Sequence, residues 1–363
     1  MQTYATPVIE EMLGTPPFAL EAEAKNALYA RTLSDLTLHH YERSREYRRV
    51  SRLVGYKPQT ELQVEDIPYI PVRLFKEFEL ISVDRREVIK TMTSSGTSGQ
   101  AVSRIYLDRI TATNQTKVLV KIVSSFIGGK RLPLLIVDSQ TVIRDRALFS
   151  ARGAGILGFS MLGHDVTYML DENYQIDFAR LDTFLEKHQG NRILLFGFTF
   201  IVWEYLCQAL RRSGRQLKID GILIHGGGWK KLASLAVDNA TFKKVVDETC
   251  GVSSVYNYYG MVEQTGSIFM ECSQGVLHAS IYSDIIVRDP ITFSALGPGS
   301  TGLLQLVSLL PTSYPGHSIL TEDIGEVLGV DDCPCGRKGK YFCVQGRVKN
   351  AEVRGCSDVY ASH

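Results

Sequence analysis

Apolar positions recur at helical spacing through residues 18–54. Ala19, Leu20, Ala22, Ala24, Ala27, Leu28, Leu33, Leu36 and Leu38 carry the period, which predicts helices here. The His39–Arg52 segment is charged and exposed in character. Ile67-Pro68-Tyr69-Ile70-Pro71 ends the pattern, since proline lacks an amide hydrogen and disfavours helix before it. From about residue 86 the period changes. Short apolar runs at Leu132–Val137, Arg192–Phe196, Ile219–His225 and Val255–Tyr259 read as strands. Helical stretches are predicted at Thr111–Phe126, Asp177–His188, Thr199–Ser213 and Leu232–Thr249. Such alternation implies an α/β architecture with a largely parallel sheet. After Ser267 long helices no longer separate the strands, and Gly297-Pro298-Gly299-Ser300-Thr301-Gly302 predicts a turn opening a hairpin or a β-rich subdomain.

Composition narrows the function classes. Of 363 residues, 44% are apolar, enough for one large core or two, and the length suggests two or three structural units. A formal net charge of +1 gives no basic field for nucleic acid. No apolar run is long enough to span a bilayer, and Met1-Gln2-Thr3-Tyr4-Ala5 lacks a signal pattern, so a cytoplasmic protein without membrane or nucleic-acid partners is expected. Seven cysteines, Cys207, Cys250, Cys272, Cys333, Cys335, Cys343 and Cys356, form an odd set that favours metal or thiol chemistry over a disulfide framework.

Ser94-Ser95-Gly96-Thr97-Ser98-Gly99 packs two glycines and four hydroxyl residues behind the apolar-alternating stretch Val88–Thr93. A flexible linker would be longer and would separate domains. The context suits a nest of backbone N–H groups and hydroxyls around an anion, with a ligand-free tight turn as the alternative. It is not a Walker A loop, because two residues rather than four separate Gly96 from Gly99, and Gln100 follows in place of lysine. A second glycine turn, Gly226-Gly227-Gly228, follows the strand ending at His225. His-Gly-Gly-Gly is also an oxyanion-hole signature of esterases, but the required Gly-x-Ser-x-Gly elbow occurs nowhere in the chain.

With Tyr258-Tyr259-Gly260-Met261-Val262-Glu263, Leu320-Thr321-Glu322-Asp323-Ile324-Gly325-Glu326 and Gly346-Arg347-Val348-Lys349-Asn350 in this order, the chain resembles the adenylate-forming superfamily. The resemblance implies that fold's N-terminal domain: mostly parallel sheets flanked by helices, plus a β-rich subdomain. It implies ATP and Mg²⁺ as cofactors. Ser94, Ser95, Thr97 and Ser98, with the backbone at Gly96 and Gly99, would cradle the β,γ-phosphates. Glu263 would bind Mg²⁺ and Tyr258 or Tyr259 would pack near adenine, with Gly260 in the same motif. Gly227 and Gly228 would border the adenine and acyl pockets. Asp323 would accept from the ribose hydroxyls, and Arg347 would reach ribose or phosphate. For the acyl pocket, Phe198 and Trp203 are candidates among the aromatics of Leu194–Trp203, against the alternative of an ordinary core.

Cys333-Pro334-Cys335 with Cys272-x₅-His278 makes a Cys₃His set suited to structural Zn²⁺, and resembles an arrangement in phenylacetate–CoA ligases. The alternative is separate buried cysteines and a surface histidine. Beyond Gly346-Arg347 the superfamily carries a mobile C-terminal domain, for which Ala351–His363 leaves no room. Instead Arg354-Gly355-Cys356-Ser357 offers a thiol ten residues past Gly346. Arginine favours a thiolate, and ten residues reach up to about 33 Å. An acyl-adenylate is a mixed anhydride that a thiolate attacks.

This ending, with Tyr41-Glu42-Arg43, Tyr47-Arg48 and Ser150-Ala151-Arg152-Gly153-Ala154-Gly155, resembles the acyl-protein synthetases of bacterial luminescence systems. That family implies activation of a fatty acid with ATP, capture on Cys356 and delivery to a partner acyl-protein reductase. The adenylation lysine has no clear counterpart; Lys349 reads as an exposed basic residue. A short CoA ligase with Cys356 idle and a non-catalytic nucleotide-binding scaffold are the alternatives. The expected organisation is a helical segment at 1–85 and an α/β nucleotide- and acyl-binding core at 86–267. A β-rich subdomain with the zinc candidate follows at 268–345, then a hinge remnant and acyl-acceptor tail at 346–363.

Overall fold

The computed structural model describes residues 6–58, 62–94, 101–143, 151–229 and 236–348. Two compact units emerge. Of the described residues, one takes those through Thr93, Ala101–Ser125 and 260–348; the other takes Ser94 and Phe126–Tyr259. Among the described residues no helix is long and apolar enough to cross a membrane.

The first unit opens with helices α1 (Thr6–Met12), α2 (Ala22–Arg43) and α3 (Arg45–Leu53). Ser44 ends α2 and caps α3, its hydroxyl accepting from the Tyr47 amide. The exposed character expected of His39–Arg52 is corrected at five positions, Ser44 among them. His39, His40, Tyr47 and Ser51 are buried. The two imidazoles find partners inside: His39 Nε2 lies 2.8 Å from the Thr312 carbonyl, and His40 bridges Ser82 Oγ at 2.8 Å and the Pro311 carbonyl at 3.1 Å. Lys25 is likewise buried, donating to the Ser283 carbonyl at 2.8 Å with Asp284 at 3.5 Å. Strands β1 (Ile70–Pro71), β2 (Lys90–Thr93) and β3 (Arg104–Leu107) follow. β2 and β3 pair antiparallel from Lys90↔Leu107 to Thr93↔Arg104.

The second unit holds β4 (Leu132–Ser139), β5 (Gly163–Leu170), β6 (Ile193–Phe198), β7 (Gly221–Gly226) and β8 (Ser254–Tyr259), all parallel, in the order β5-β4-β6-β7-β8. β6 and β7 are buried throughout, as strands covered on both faces must be, and this is why they read as continuous apolar runs. The order reverses direction at β4, so the carboxyl ends of β4 and β6 mark the switch point where open α/β sheets bind ligands. β5 and the helix Ala151–Ser160 before it escaped the sequence reading, because β5 opens on exposed polar residues. The helix expected at Thr199–Ser213 is a turn at Thr199–Ile201, a π segment at Val202–Gln208 and a final turn at Ala209–Ser213. The helix expected at Leu232–Thr249 is Asn239–Cys250. Asp238 caps it, accepting from the Thr241 amide at 2.7 Å, and residues 236–238 are not helical.

The first unit resumes with β9 (Phe269–Glu271), β10 (Leu277–His278), β11 (Ser283–Arg288), β12 (Ala295–Leu296), β13 (Thr301–Ser308), β14 (Ser318–Val330) and β15 (Lys340–Arg347). Their order is β12-β11-β13-β14-β15-β10-β9, antiparallel throughout, with β1 adding parallel to β14. The Gly297–Gly302 turn leads into β13 as expected.

Candidate functional site

The glycine–hydroxyl loop joins the paired strands β2 and β3. Ser94 is half-buried just past β2; Ser95, Gly96, Thr97, Ser98 and Gly99 lie outside the described residues, as do Lys349 and Cys356.

In the second unit the candidate residues gather at the carboxyl ends of the sheet. The Tyr258 ring lies over Gly226, where a Cβ would sit 2.4 Å from its Cε1. Gly227 takes φ +80°, open to glycine at little cost, and a Cβ there would meet Phe198 Cδ1 at 3.3 Å; a Cβ at Gly228 would meet nothing within 4 Å among the described residues. Tyr258 also packs on Phe159, centroids 5.3 Å apart, and Phe159 stacks on Phe196 at 4.0 Å. Tyr259 is half-buried at the end of β8.

The two acyl-pocket candidates part company. Phe198 faces Phe196 and Gly155, whereas Trp203 sits on the π segment against Trp229 and Phe242, at 5.4 and 6.0 Å. π segments concentrate at functional sites.

In the first unit, Glu263 lies on the short turn Val262–Gln264 and is buried, 3% exposed. A solvated surface carboxylate is thereby ruled out for it. Gln264 fixes the turn, its amide nitrogen donating to the Leu306 and Gly316 carbonyls at 3.1 and 2.8 Å. Tyr314 donates to the Glu263 carbonyl at 2.9 Å, and burial, then the Glu263 charge, push its phenol well up. Asp323 and Arg347 face each other across β14 and β15, Nε to Oδ1 at 2.9 Å, with Glu322 at 3.9 Å from the same guanidinium. Their pairing follows from register, so one side chain orients the other.

The four metal candidates do converge. Their ligand atoms all lie within 4.8 Å of one another. Cys272 Sγ is 4.0 Å from Cys333 Sγ, and Cys335 Sγ is 3.3 Å from His278 Nε2. Tetrahedral zinc with Zn–S near 2.3 Å separates its donor atoms by about 3.8 Å, so the set fits. Burial, and then Arg337, hold the His278 imidazole down at about 4, which keeps it neutral and able to ligate. Burial pushes the Cys333 thiol up. No surface histidine or scattered cysteine is involved: Cys272, His278 and Cys333 are buried.

Two further buried polar groups of the second unit stand out. Arg152 is buried and paired with Asp138 at the end of β4, Nε to Oδ2 at 2.7 Å, and donates to Tyr174 Oη at 3.1 Å. Burial raises the Asp138 carboxyl beyond what Arg152 offsets. His225 is the other. Its Nδ1 lies 2.9 Å from Thr199 Oγ1, its ring 4.3 Å from Phe242. The signal was present in the apolar run of β7, which places any residue at its end inside.

The family described as acyl-protein synthetase, LuxE, matches residues 3–363. The long-chain-fatty-acid–luciferin-component ligase of Vibrio harveyi is 25% identical over 359 residues, covering 95% of this chain and 90% of its own. The phenylacetate-coenzyme A ligase of Thermus thermophilus is 26% identical over 334 residues, covering 88% of this chain and 69% of its own. A solved 2-hydroxyisobutyryl-CoA ligase in complex with 2-HIB-AMP and CoA superposes with a TM-score of 0.69 at 16% identity, over 93% of this chain and 78% of that one. The expected adenylate-forming α/β fold is therefore the observed one. With the family matched along nearly all of its length, the chain belongs to the acyl-protein synthetases and is an AMP-forming ligase.

Proposed function

We propose that the chain activates a fatty acid with ATP and transfers the acyl group to its own Cys356, for delivery to a partner acyl reductase. The observation that carries this reading is the likeness, over 95% of the chain, to a protein named a long-chain-fatty-acid–luciferin-component ligase. The acid's carboxylate oxygen attacks the α-phosphorus of ATP. The bond to the bridging oxygen breaks, pyrophosphate leaves, and acyl-AMP forms. The Cys356 thiolate, its proton given to solvent, then attacks the acyl carbon, and AMP leaves with the bonding electron pair of the C–O bond.

The roles of the chain's own residues follow. Ser94 to Gly99 would hold the leaving phosphates, with hydroxyls and N–H groups suited to a group that must depart. Glu263 would hold Mg²⁺, which when bound offsets the charge of the phosphate oxygens. Tyr258 or Tyr259, with Gly227, Gly228 and Gly260, would border adenine. Asp323 would accept from the ribose hydroxyls, and its pairing with Arg347 supports both in that role. Phe198 and Trp203 would wall the acyl chain. Cys272, His278, Cys333 and Cys335 would hold a structural Zn²⁺, their four positions leaving none for water.

Incubation with ATP, Mg²⁺ and radiolabelled fatty acid tests the proposal. Hydroxylamine-sensitive label on the protein is expected, lost in Cys356→Ser while acid-dependent ATP–pyrophosphate exchange persists. A soluble thioester that requires CoA would replace self-acylation with a CoA ligase. An absence of exchange would leave a nucleotide-binding scaffold.

A further inference from the structure

His225 lies one residue before the end of the buried strand β7, at the glycine turn, and is 2% exposed. One ring nitrogen is engaged, Nδ1 with Thr199 Oγ1 at 2.9 Å. The other, Nε2, is buried and has no hydrogen-bond partner among the described residues. Its surroundings are aromatic: Phe242 at 4.3 Å, and beyond it Trp203 and Trp229, the first on the π segment and the second just past Gly228. A buried polar atom without a partner is costly, and an apolar residue of the same shape would fill this place better. The atom is retained at the carboxyl edge of a parallel sheet, where such folds bind ligands. Something in the working complex must therefore meet it.

We propose that His225 Nε2–H donates a hydrogen bond to the carboxyl group of the acid, and then to the acyl carbonyl of the adenylate. This rests on the activation reading above. A fatty acid brings one polar group into an aromatic-walled site, its carboxyl. A carboxylate only accepts, so Nε2 must carry the proton and Nδ1 must accept from the Thr199 hydroxyl. Thr199 thereby sets the tautomer as a positioning residue. Burial keeps the ring neutral, with its titration near 3, so it donates without gaining charge as the acyl group is passed on.

The side chains of asparagine and glutamine separate the two ring nitrogens, since an Asn amide reaches the Nδ1 position and a Gln amide the Nε2 position. Acid-dependent ATP–pyrophosphate exchange is measured with octanoic, dodecanoic and hexadecanoic acids and with phenylacetic acid. His225→Asn is expected to lose roughly 10- to 100-fold in kcat/KM for the acid, the scale of a hydrogen bond to a charged group, with KM for ATP unchanged. His225→Gln should recover most of the loss, and Thr199→Val should fall toward the Asn level. Thermal unfolding of each variant reports folding separately. Asparagine at the wild-type level, glutamine falling as far as asparagine, or a shift in KM for ATP instead of the acid would each overturn the proposal. A wild-type protein that supports no exchange with any of these acids would overturn the activation reading, and this inference with it.

Discussion

The proposed zinc of the Cys₃His cluster is tested by chelation, which asks whether the first unit depends on a metal there. Cys272 lies just past β9 and His278 in β10, while Cys333 and Cys335 lie in the connection between β14 and β15. An ion held by all four would cross-link segments 61 residues apart in sequence, the Cys272 to Cys333 separation. Closing a loop of that length in the unfolded chain is worth about 4 kcal/mol by chain entropy. A unit of this size shifts its midpoint by about 2–4 °C per kcal/mol, so metal loss should lower Tm by about 8–16 °C. Cys333→Ser and Cys335→Ser should do the same. The assay is scanning calorimetry of the full chain, with and without a zinc chelator, alongside elemental analysis that should find one zinc per chain. Protein that purifies without metal and whose midpoint does not move with chelator would refute the reasoning. So would serine variants melting within 2 °C of the parent.

Other outcomes are expected from particular contacts. Gly226→Ala would place a Cβ 2.4 Å from the Tyr258 ring, so the ring must shift by about 1 Å. The change should cost about 1–3 kcal/mol of stability and raise KM for ATP, and unaltered melting and ATP kinetics would show that Tyr258 gives way freely. Acid should destabilise the first unit through its buried imidazoles. Burial holds His317 at about 3 and His40 well below its usual value, while the unfolded chain titrates near 6.5. The unfolded state therefore binds more protons below 6.5, and stability present at neutral pH is lost as pH falls through 6.5 toward 3. By pH 5 His317 alone removes about 2 kcal/mol, and His40 adds to the loss in the same direction. Urea midpoints at pH 7.5 and 5 measure this, and His317→Gln should flatten the difference. Asp323→Ala takes from Arg347 its 2.9 Å partner and removes the proposed ribose acceptor, so KM for ATP should rise about tenfold or more. An unchanged KM in steady-state assays would remove Asp323 from the nucleotide site.

The acid-lability prediction could not have come from the sequence. His39, His40, Tyr47 and Ser51 sit in a segment whose composition reads as solvated. The two imidazoles and the Tyr47 phenol are met inside by Ser82, Pro311, Thr312 and His317, partners that no local pattern discloses. Element boundaries behaved in the same way. The run of β7 was legible because apolar side chains on both faces leave no polar alternation to misread. β5 was not legible, because its opening residues face solvent.

What the amino-acid order determined by itself was the chemistry available: strand–helix alternation, glycine turns, spaced thiols and carboxylates. Local propensity and the periodicity of burial act over a few residues, and those signals survive without a fold. What the tertiary structure decided was company. Register across β14 and β15 sets Asp323 against Arg347, and a 61-residue separation closes to put Cys272 beside Cys333. Packing at the carboxyl end of β7 leaves one nitrogen of His225 with no hydrogen-bond partner among the described residues. Each depends on segments distant in the chain, and distance along a chain carries no information about distance in space until the core has formed.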